Sequence, residues 1–170
     1  MIENFDDCLD FILKWEGGYT DDTRDPGGIT NLGVTKATWQ SWTGHAVTPQ
    51  EMKDLTVEKV KPLYQQRYWN TVKAFAIPSG VDLCLFDSAV NQGPSNAIMT
   101  LQKALGTFVD AHIGPATMEL VGMNSPSSII HDFCEERRKR YTQTKNFDIY
   151  GKGWLRRLDA CQTTALAMID

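Results

Sequence analysis

Apolar residues at helical spacing run through most of this 170-residue chain, and few segments alternate with the period of two that strands require. In the first segment the apolar residues fall at i, i+3, i+4, i+7 and i+8, namely at Phe5, Cys8, Leu9, Ile12 and Leu13. This spacing predicts an amphipathic helix that ends at Gly17-Gly18. Residues 19–35 differ, because they are rich in Gly, Asp and Thr and can hold a short β-hairpin. We therefore expect a mainly α fold with a small β wing after the first helix.

Capping signals mark further helices. Thr48, Pro49 and Glu51 give one helix its N-cap, its first-turn proline and its capping-box acid. Residues 79–92 begin with similar signals and are apolar nearly all round, as a central, buried helix is. Asp87 lies inside that apolar segment, so we expect an arginine or backbone groups to pair with it. Later helices are predicted over residues 96–105, 115–121, 128–145 and 153–169.

The charge balance excludes some classes of protein. The net charge is −4, which argues against a sequence-independent nucleic-acid binder, and no nucleic-acid partner is expected. The charge is uneven, because residues 1–60 carry 11 acids and 5 bases, whereas residues 61–170 carry 10 acids and 12 bases. The longest uncharged stretch, residues 88–102, is too short to cross a bilayer. The N-terminal residues lack the features of a secretory signal, so we expect synthesis in the cytoplasm and no stable membrane insertion.

Cysteine and histidine positions give little support to a metal site. The cysteines are far apart, form no Cys-x-x-Cys pair and lie in apolar helical contexts, at Cys8, Cys84, Cys134 and Cys161. Such positions predict buried, reduced thiols. The three histidines show no i, i+4 pair, and neither a metal nor another cofactor is expected.

Glu16 is the most informative polar residue of the first helix. On a helical wheel it lies in the middle of the apolar stripe. A buried carboxylate is costly unless it is paired or protonated, and the negative end of the helix dipole adds to that cost. A carboxylic acid that stays protonated near neutral pH is what general-acid cleavage of a glycosidic bond requires. Alternatively, the side chain caps the backbone N–H groups of the glycines that follow.

The residues after this helix favour the catalytic interpretation. Gly17-Gly18 lets a ligand approach the backbone closely, and Tyr19 offers an aromatic face with a hydroxyl. Asp25 and Thr30 follow on the predicted hairpin, which would fold back beside the helix end. The sequence therefore predicts that these side chains gather around Glu16.

Two spaced motifs cover the helix end and the hairpin. They are Lys14-Trp15-Glu16-Gly17-Gly18-Tyr19 and Asp25-Pro26-Gly27-Gly28-x-Thr30-Asn31-x-Gly33-Val34-Thr35. With them the chain resembles glycoside hydrolase family 108, which implies N-acetylmuramidase activity and a lysozyme-like helical fold, as in phage endolysins and bacterial lysis proteins. The resemblance continues through Tyr64-x-x-x-Tyr68-Trp69 and Phe86-Asp87-x-Ala89-Val90-Asn91-x-Gly93. The C-terminal part, which includes Gly151-Lys152-Gly153-Trp154, is similar to the peptidoglycan-binding region that accompanies this family.

The resemblance implies that Glu16 is the catalytic acid. Asp25 would position water, stabilise positive charge on the sugar or only cap its own turn, and Asp21 and Asp22 compete with it as the second carboxylate. Thr30 would hold the nucleophilic water or be an ordinary strand threonine. The spacing is similar to that of the Glu, Asp and Thr of T-even phage lysozymes, although it is one residue shorter between Asp and Thr.

Five residues are predicted to bind substrate, namely Tyr19, Tyr64, Trp69, Asn91 and Gln92. Tyr64 and Trp69 share a helical patch, where aromatic residues either line a sugar cleft or belong to the core. Asn91 and Gln92 end the central helix, where their amides either bind an N-acetyl group or cap the helix.

The residues and the resemblance together predict a muramidase that hydrolyses the β-1,4 bond between N-acetylmuramic acid and N-acetylglucosamine in peptidoglycan. The alternatives are a lytic transglycosylase with an anhydromuramyl product and a non-catalytic wall-binding module. Residues 1–94 would form the lysozyme-like catalytic region, with a helical peptidoglycan-binding region, residues 95–170, packed on it. We expect a monomer that lacks a signal peptide and reaches the periplasm or cell wall through holin lesions. An injected antibacterial effector and a prophage remnant are alternative contexts.

Overall fold

The computed structural model describes residues 4–21 and 28–169. Over these residues the chain forms nine α-helices and one three-stranded antiparallel sheet. The helices are α1 (Phe5–Trp15), α2 (Lys36–Thr43), α3 (Pro49–Lys53), α4 (Val57–Tyr64), α5 (Val81–Gln92), α6 (Pro94–Ala104), α7 (Pro115–Met123), α8 (Pro126–Thr142) and α9 (Phe147–Ala167). The strands are β1 (Thr20–Asp21), β2 (Ile29–Asn31) and β3 (Val34–Thr35). A π-helical turn, Gln65–Trp69, follows α4, and a 3₁₀ turn covers Ala74–Ala76. The mainly α fold with a β wing after the first helix is confirmed.

The chain divides into two compact units. The first unit is Asp6–Arg67, and the second runs from Tyr68 onward and includes Phe5. The predicted boundary between a catalytic region, residues 1–94, and a peptidoglycan-binding region, residues 95–170, stays a prediction. In the described ranges, no helix is long and apolar enough to span a membrane.

The sheet of the first unit is a compact meander. Thr20 pairs with Thr30 across β1 and β2, and Asn31 pairs with Val34 across β2 and β3. Only Leu32 and Gly33 connect β2 to β3, with φ angles of +49° and +71°. Positive φ at both central residues is the mark of a type I′ turn, whose twist matches that of the flanking strands.

Short helices hold this sheet in place. The predicted capping box of α3 is confirmed, because the Thr48 hydroxyl accepts from the Glu51 N–H while the Glu51 carboxylate accepts from the Thr48 N–H at 2.7 Å. The buried Asn31 side chain donates to the carbonyl of Met52 at 2.8 Å and so ties β2 to α3. Thr35 ends β3 and caps α2, since its hydroxyl accepts from the Thr38 N–H. Strand and helix are thereby joined without a linker.

Helix α5 is the centre of the second unit. Its residues from Val81 to Ala89 are all buried, and α6, α8 and α9 pack against it. The prediction of a central helix that ends at Gln92 is confirmed. The predicted start of the last helix at residue 153 is wrong, because α9 begins at Phe147 and continues through two glycines. A Cβ at Gly151 would lie 2.6 Å from the Phe147 ring, so a glycine permits this packing within the helix.

A buried ion cluster lies at the centre of the second unit. Asp87 of α5 accepts from Arg137 of α8 at 2.8 Å and from Arg157 of α9 at 2.9 Å. The side chains of Asp87 and Arg137 are fully buried. Burial is the largest single influence and would lower the pKa of Arg137, but Asp87, Tyr141 and Cys161 together raise that pKa above its ordinary value. Of the two kinds of partner predicted for Asp87, an arginine or backbone groups, the arginine is confirmed.

All four cysteines are buried and free, as predicted. Three of them meet where α5, α8 and α9 pack together, and Cys161 lies 3.9 Å from Cys84 between sulfur atoms. Hydrogen bonds with Cys134 and Cys161, together with burial, raise the pKa of the Cys84 thiol well above its ordinary value. These thiols therefore serve as small apolar groups in the core.

Candidate active site

Glu16 is the first residue beyond α1, and its N–H still donates to the carbonyl of Ile12 at 3.2 Å. The residue is half-buried, whereas Gly17 and Gly18 after it are exposed. The helix thus delivers the carboxylate to its C-terminal end, at the border between the core of the first unit and solvent. Placement at the end of the first helix agrees with the sequence prediction.

The side chain of Glu16 lies against the type I′ turn. A Cβ added to Gly33 would fall 2.8 Å from Cγ and 3.0 Å from Oε2 of Glu16, and 2.5 Å from the hydroxyl oxygen of Tyr64. Any side chain at this position would therefore displace both groups. The absence of a side chain at Gly33 leaves the space that the Glu16 carboxylate occupies.

Tyr64 holds this turn through a hydrogen bond. Its hydroxyl donates to the carbonyl of Leu32 at 2.9 Å, and its ring is only 1% exposed. The phenol thereby holds the turn beside Glu16 while the rest of the side chain fills the core. Tyr64 was predicted as a substrate-binding residue; the structure puts its ring in the core, the alternative that the sequence left open.

Trp69 is equally buried but belongs to the second unit. Its ring is 1% exposed and lies 5.4 Å from the Phe5 ring and 5.2 Å from the Phe86 ring, in edge-to-face geometry. A ring enclosed in this way presents no face to a ligand. The shared helical patch of Tyr64 and Trp69 was inferred for a regular α-helix, and the π-helical turn at Gln65–Trp69 changes that geometry.

The hairpin carries further predicted site residues. Thr30 is half-buried on β2, and its hydroxyl lies 2.6 Å from that of Thr20 on β1. Tyr19 precedes β1, and its ring lies 5.2 Å from the Nζ of Lys53. The pKa of its phenol is raised, mainly by burial and secondly by the nearby Asp21. Asp21 itself is exposed on β1. Asp25, the predicted second carboxylate, and its competitor Asp22 lie outside the described residues.

Asn91 and Gln92 end α5 in the second unit. Asn91 is exposed, and its Oδ1 accepts from the Tyr141 hydroxyl at 2.8 Å. Gln92 is half-buried, and its Oε1 accepts from the Ser88 hydroxyl at 3.1 Å. Each amide thus has its oxygen held by a hydroxyl of the protein, which leaves its N–H donors for another acceptor.

The sequence analysis missed two residues that position predicted site residues, one in each unit. Gly33 belongs to the motif that begins at Asp25, but no role was predicted for it. A glycine at the second position of a two-residue hairpin loop is nevertheless a turn signal. No role was predicted for Tyr141, and no local pattern shows that its hydroxyl reaches Asn91, which is 50 positions away. Within residues 4–21 and 28–169, no group of three His, Cys, Asp or Glu side chains could hold a metal ion.

The helical fold and the glutamate at the end of its first helix define a lysozyme-like protein. Residues 9–93 match the family described as Glycosyl hydrolase 108, and the chain belongs to this family. It is also similar to the solved structure of Brucella abortus SagA, with 36% sequence identity and a TM-score of 0.87, over 99% of this chain and 97% of that one. No curated protein matches the sequence. The lysozyme-like fold is confirmed, and family membership makes the protein a glycoside hydrolase with peptidoglycan as its substrate.

Proposed function

We propose that this protein is an N-acetylmuramidase in which Glu16 is the general acid. The proposed bond is the β-1,4 linkage between N-acetylmuramic acid and N-acetylglucosamine. The observation that carries the proposal is the position of Glu16, half-buried at the end of α1 with its carboxylate against the Gly33 turn. A carboxylic acid that is fixed by its surroundings but borders on solvent can donate a proton to a glycosidic oxygen.

The reaction requires two roles besides the substrate. Glu16 protonates the oxygen of the leaving sugar, and a water molecule or a second carboxylate attacks the sugar carbon. We propose Asp25 as the second carboxylate and Thr30 as a residue that orients the water. A separation of about 6.5–9.5 Å between the two carboxyl groups gives inversion, and about 5–5.5 Å gives retention. The anomeric form of the first product, read by NMR, distinguishes the two routes.

Replacement of the acid tests the assignment. The Glu16→Gln variant keeps the shape of the side chain but has no acidic proton, so we expect release of reducing sugar from purified peptidoglycan to fall by about 10²–10⁴-fold. Glu119→Gln, on the exposed face of α7, is the matched control and should retain wild-type activity. Activity of Glu16→Gln near that of the control would refute the role of Glu16.

The products of the reaction test the bond and the chemistry. Hydrolysis by a muramidase leaves a new reducing N-acetylmuramic acid, whereas a lytic transglycosylase leaves an anhydromuramyl end that is one water lighter. Mass spectrometry of the digest separates these products. An anhydro product would replace hydrolysis by transglycosylation, and a new reducing N-acetylglucosamine would assign the other glycosidic bond.

We further propose an endolysin role, which the resemblance to phage lysis proteins supports. In this role the enzyme accumulates in the host cytoplasm and reaches peptidoglycan after a holin opens the membrane. Bacteria that express the protein alone should keep growing, and co-expression of a holin should cause lysis within minutes. Lysis of equal speed without the holin would contradict dependence on it.

A further inference from the structure

The hydroxyl of Tyr64 and the carboxyl of Glu16 meet at the type I′ turn. Both lie next to one point in space, the place that a Cβ of Gly33 would take, with the phenol oxygen 2.5 Å and Oε2 of Glu16 3.0 Å from it. The two groups therefore face each other across a residue that has no side chain. All three residues belong to the unit Asp6–Arg67, so the contact lies within one compact body.

Tyr64 reaches this place from the core. Its ring is 1% exposed on α4, and its hydroxyl donates to the carbonyl of Leu32 at 2.9 Å. A phenol has one proton, so toward Glu16 its oxygen is an acceptor, which pairs only with the protonated form of a carboxyl. A general acid begins the reaction in that form.

The same hydrogen bond holds the turn at its least favourable residue. Leu32 has a φ of +49°, in the left-handed region that a leucine adopts only where its surroundings hold it there. The Tyr64 hydroxyl holds the carbonyl of this residue, directly before Gly33. Loss of the hydroxyl would release the turn beside the residue against which the Glu16 side chain lies.

We propose that Tyr64 is a positioning residue for the general acid. Its hydroxyl fixes the turn that borders Glu16 and occupies the space beside Oε2. Without it the carboxyl can turn away from the glycosidic oxygen, and a misplacement of about 1 Å is enough to cost much of the rate. The inference rests on the proposed function, because Tyr64 acts only through Glu16 and its ring makes no contact with the substrate.

Two substrates that differ in their leaving group separate this role from a structural one. The first is a soluble tetrasaccharide of the glycan strand, whose leaving sugar must be protonated. The second is the 2,4-dinitrophenyl β-glycoside of the disaccharide that ends in N-acetylmuramic acid, whose phenolate leaves without a proton. Both break a bond at the anomeric carbon of N-acetylmuramic acid. The ratio of the two kcat/KM values, measured on one sample, does not depend on how much of the enzyme is folded.

Tyr64→Phe keeps the ring in the core and removes only the hydroxyl. We expect kcat/KM for the tetrasaccharide to fall by about tenfold and kcat/KM for the dinitrophenyl glycoside to stay within about twofold. The loss should lie in kcat rather than in KM, since no contact with the sugar rings is removed. In the Glu16→Gln background, Tyr64→Phe should cause no further loss, because the acid through which it acts is absent.

Thr100→Val is the matched control. Thr100 of α6 is 4% exposed, and its hydroxyl donates to a backbone carbonyl, that of Asn96, at 2.8 Å. The variant thus removes a buried hydroxyl of the same kind from the second unit, and it should leave the ratio of the two substrates unchanged. An equal ratio in Tyr64→Phe and Thr100→Val would overturn the inference. A full loss from Tyr64→Phe in the Glu16→Gln background would overturn it as well.

The result for Glu16→Gln distinguishes failure of the inference from failure of the proposed function. If Glu16→Gln cleaves the dinitrophenyl glycoside but not the tetrasaccharide, Glu16 is the acid, and an unchanged ratio in Tyr64→Phe then removes Tyr64 alone. If Glu16→Gln cleaves both substrates as the wild type does, the acid is another residue and both assignments fail.

Discussion

Glu16 and Asp87 are both acids in apolar helical segments, one in each unit of the molecule, and they differ in burial and in surroundings. Asp87 is fully buried and held by Arg137 and Arg157 at 2.8 and 2.9 Å. Glu16 is half-buried at a helix end, where its side chain lies against a turn that has no Cβ. The comparison shows that two acids predicted to lie in apolar surroundings are placed differently, one enclosed in the core and the other at its border. An acid that is enclosed between two cations is structural, whereas one at the border of the core is accessible to a substrate.

The energetics follow from this difference. Removal of Asp87 would leave two guanidinium groups in the core without their anion, and an uncompensated buried charge is among the most costly defects in a protein. Glu16 is only half-buried, and a neutral amide of the same shape keeps the size of its side chain. The two acids should therefore separate cleanly, with stability depending on Asp87 and activity on Glu16.

The largest expected loss of stability is for Asp87→Ala. We expect the free energy of unfolding to fall by about 3–5 kcal/mol, as measured by urea denaturation. Asp159→Ala is the matched control, because Asp159 pairs with Arg138 at the surface, and it should cost at most about 1 kcal/mol. If Glu16→Gln destabilised the protein as much as Asp87→Ala does, the difference proposed between the two acids would be wrong.

A smaller effect on stability, with an additional effect on activity, is expected for Gly33→Ala. The new methyl group would meet Glu16 and the Tyr64 hydroxyl, and the residue would keep a positive φ, so stability should fall by about 1–3 kcal/mol. Peptidoglycan hydrolysis should fall by at least about tenfold because the acid is displaced. Gly44→Ala is the control, since Gly44 also has a positive φ of +79° but its Cβ would meet no atom within 4 Å. Equal losses of activity in the two variants would show that the contact with Glu16 is unimportant.

The smallest effect is expected for Glu51, which adds an exposed carboxylate to the comparison. Hydrogen bonds from the backbone N–H and then the hydroxyl of Thr48 lower its pKa below the ordinary 4.5. The folded state therefore gains stability from ionised Glu51 above pH 4.5 and loses it as the pH falls through the lowered pKa. Glu51→Gln should reduce the midpoint of thermal unfolding slightly at pH 7 and not at all at strongly acidic pH. A difference that persists unchanged in acid would exclude the capping carboxylate as its cause.

Much of the fold could be predicted because it depends on local patterns. Helix α1, the capping box at Thr48 and the extent of α5 follow from spacing and capping residues within a few positions. The start of α9 at Phe147 could not be predicted from propensity, since Gly151 and Gly153 disfavour a helix. There the contact between Gly151 and the Phe147 ring compensates, and such packing has no signal in the sequence.

The sequence by itself determined that Glu16 ends an amphipathic helix, that a hairpin follows and that Asp87 needs a partner, because helical periodicity and the cost of burying charge are local rules. Only the tertiary structure decided which arginines pair with Asp87, that Tyr64 and Trp69 are interior, and that Gly33 makes room for Glu16. It also decided that the Asn91 amide takes its orientation from Tyr141. These outcomes depend on contacts between residues up to 70 positions apart, and such contacts exist only after the chain has closed on itself.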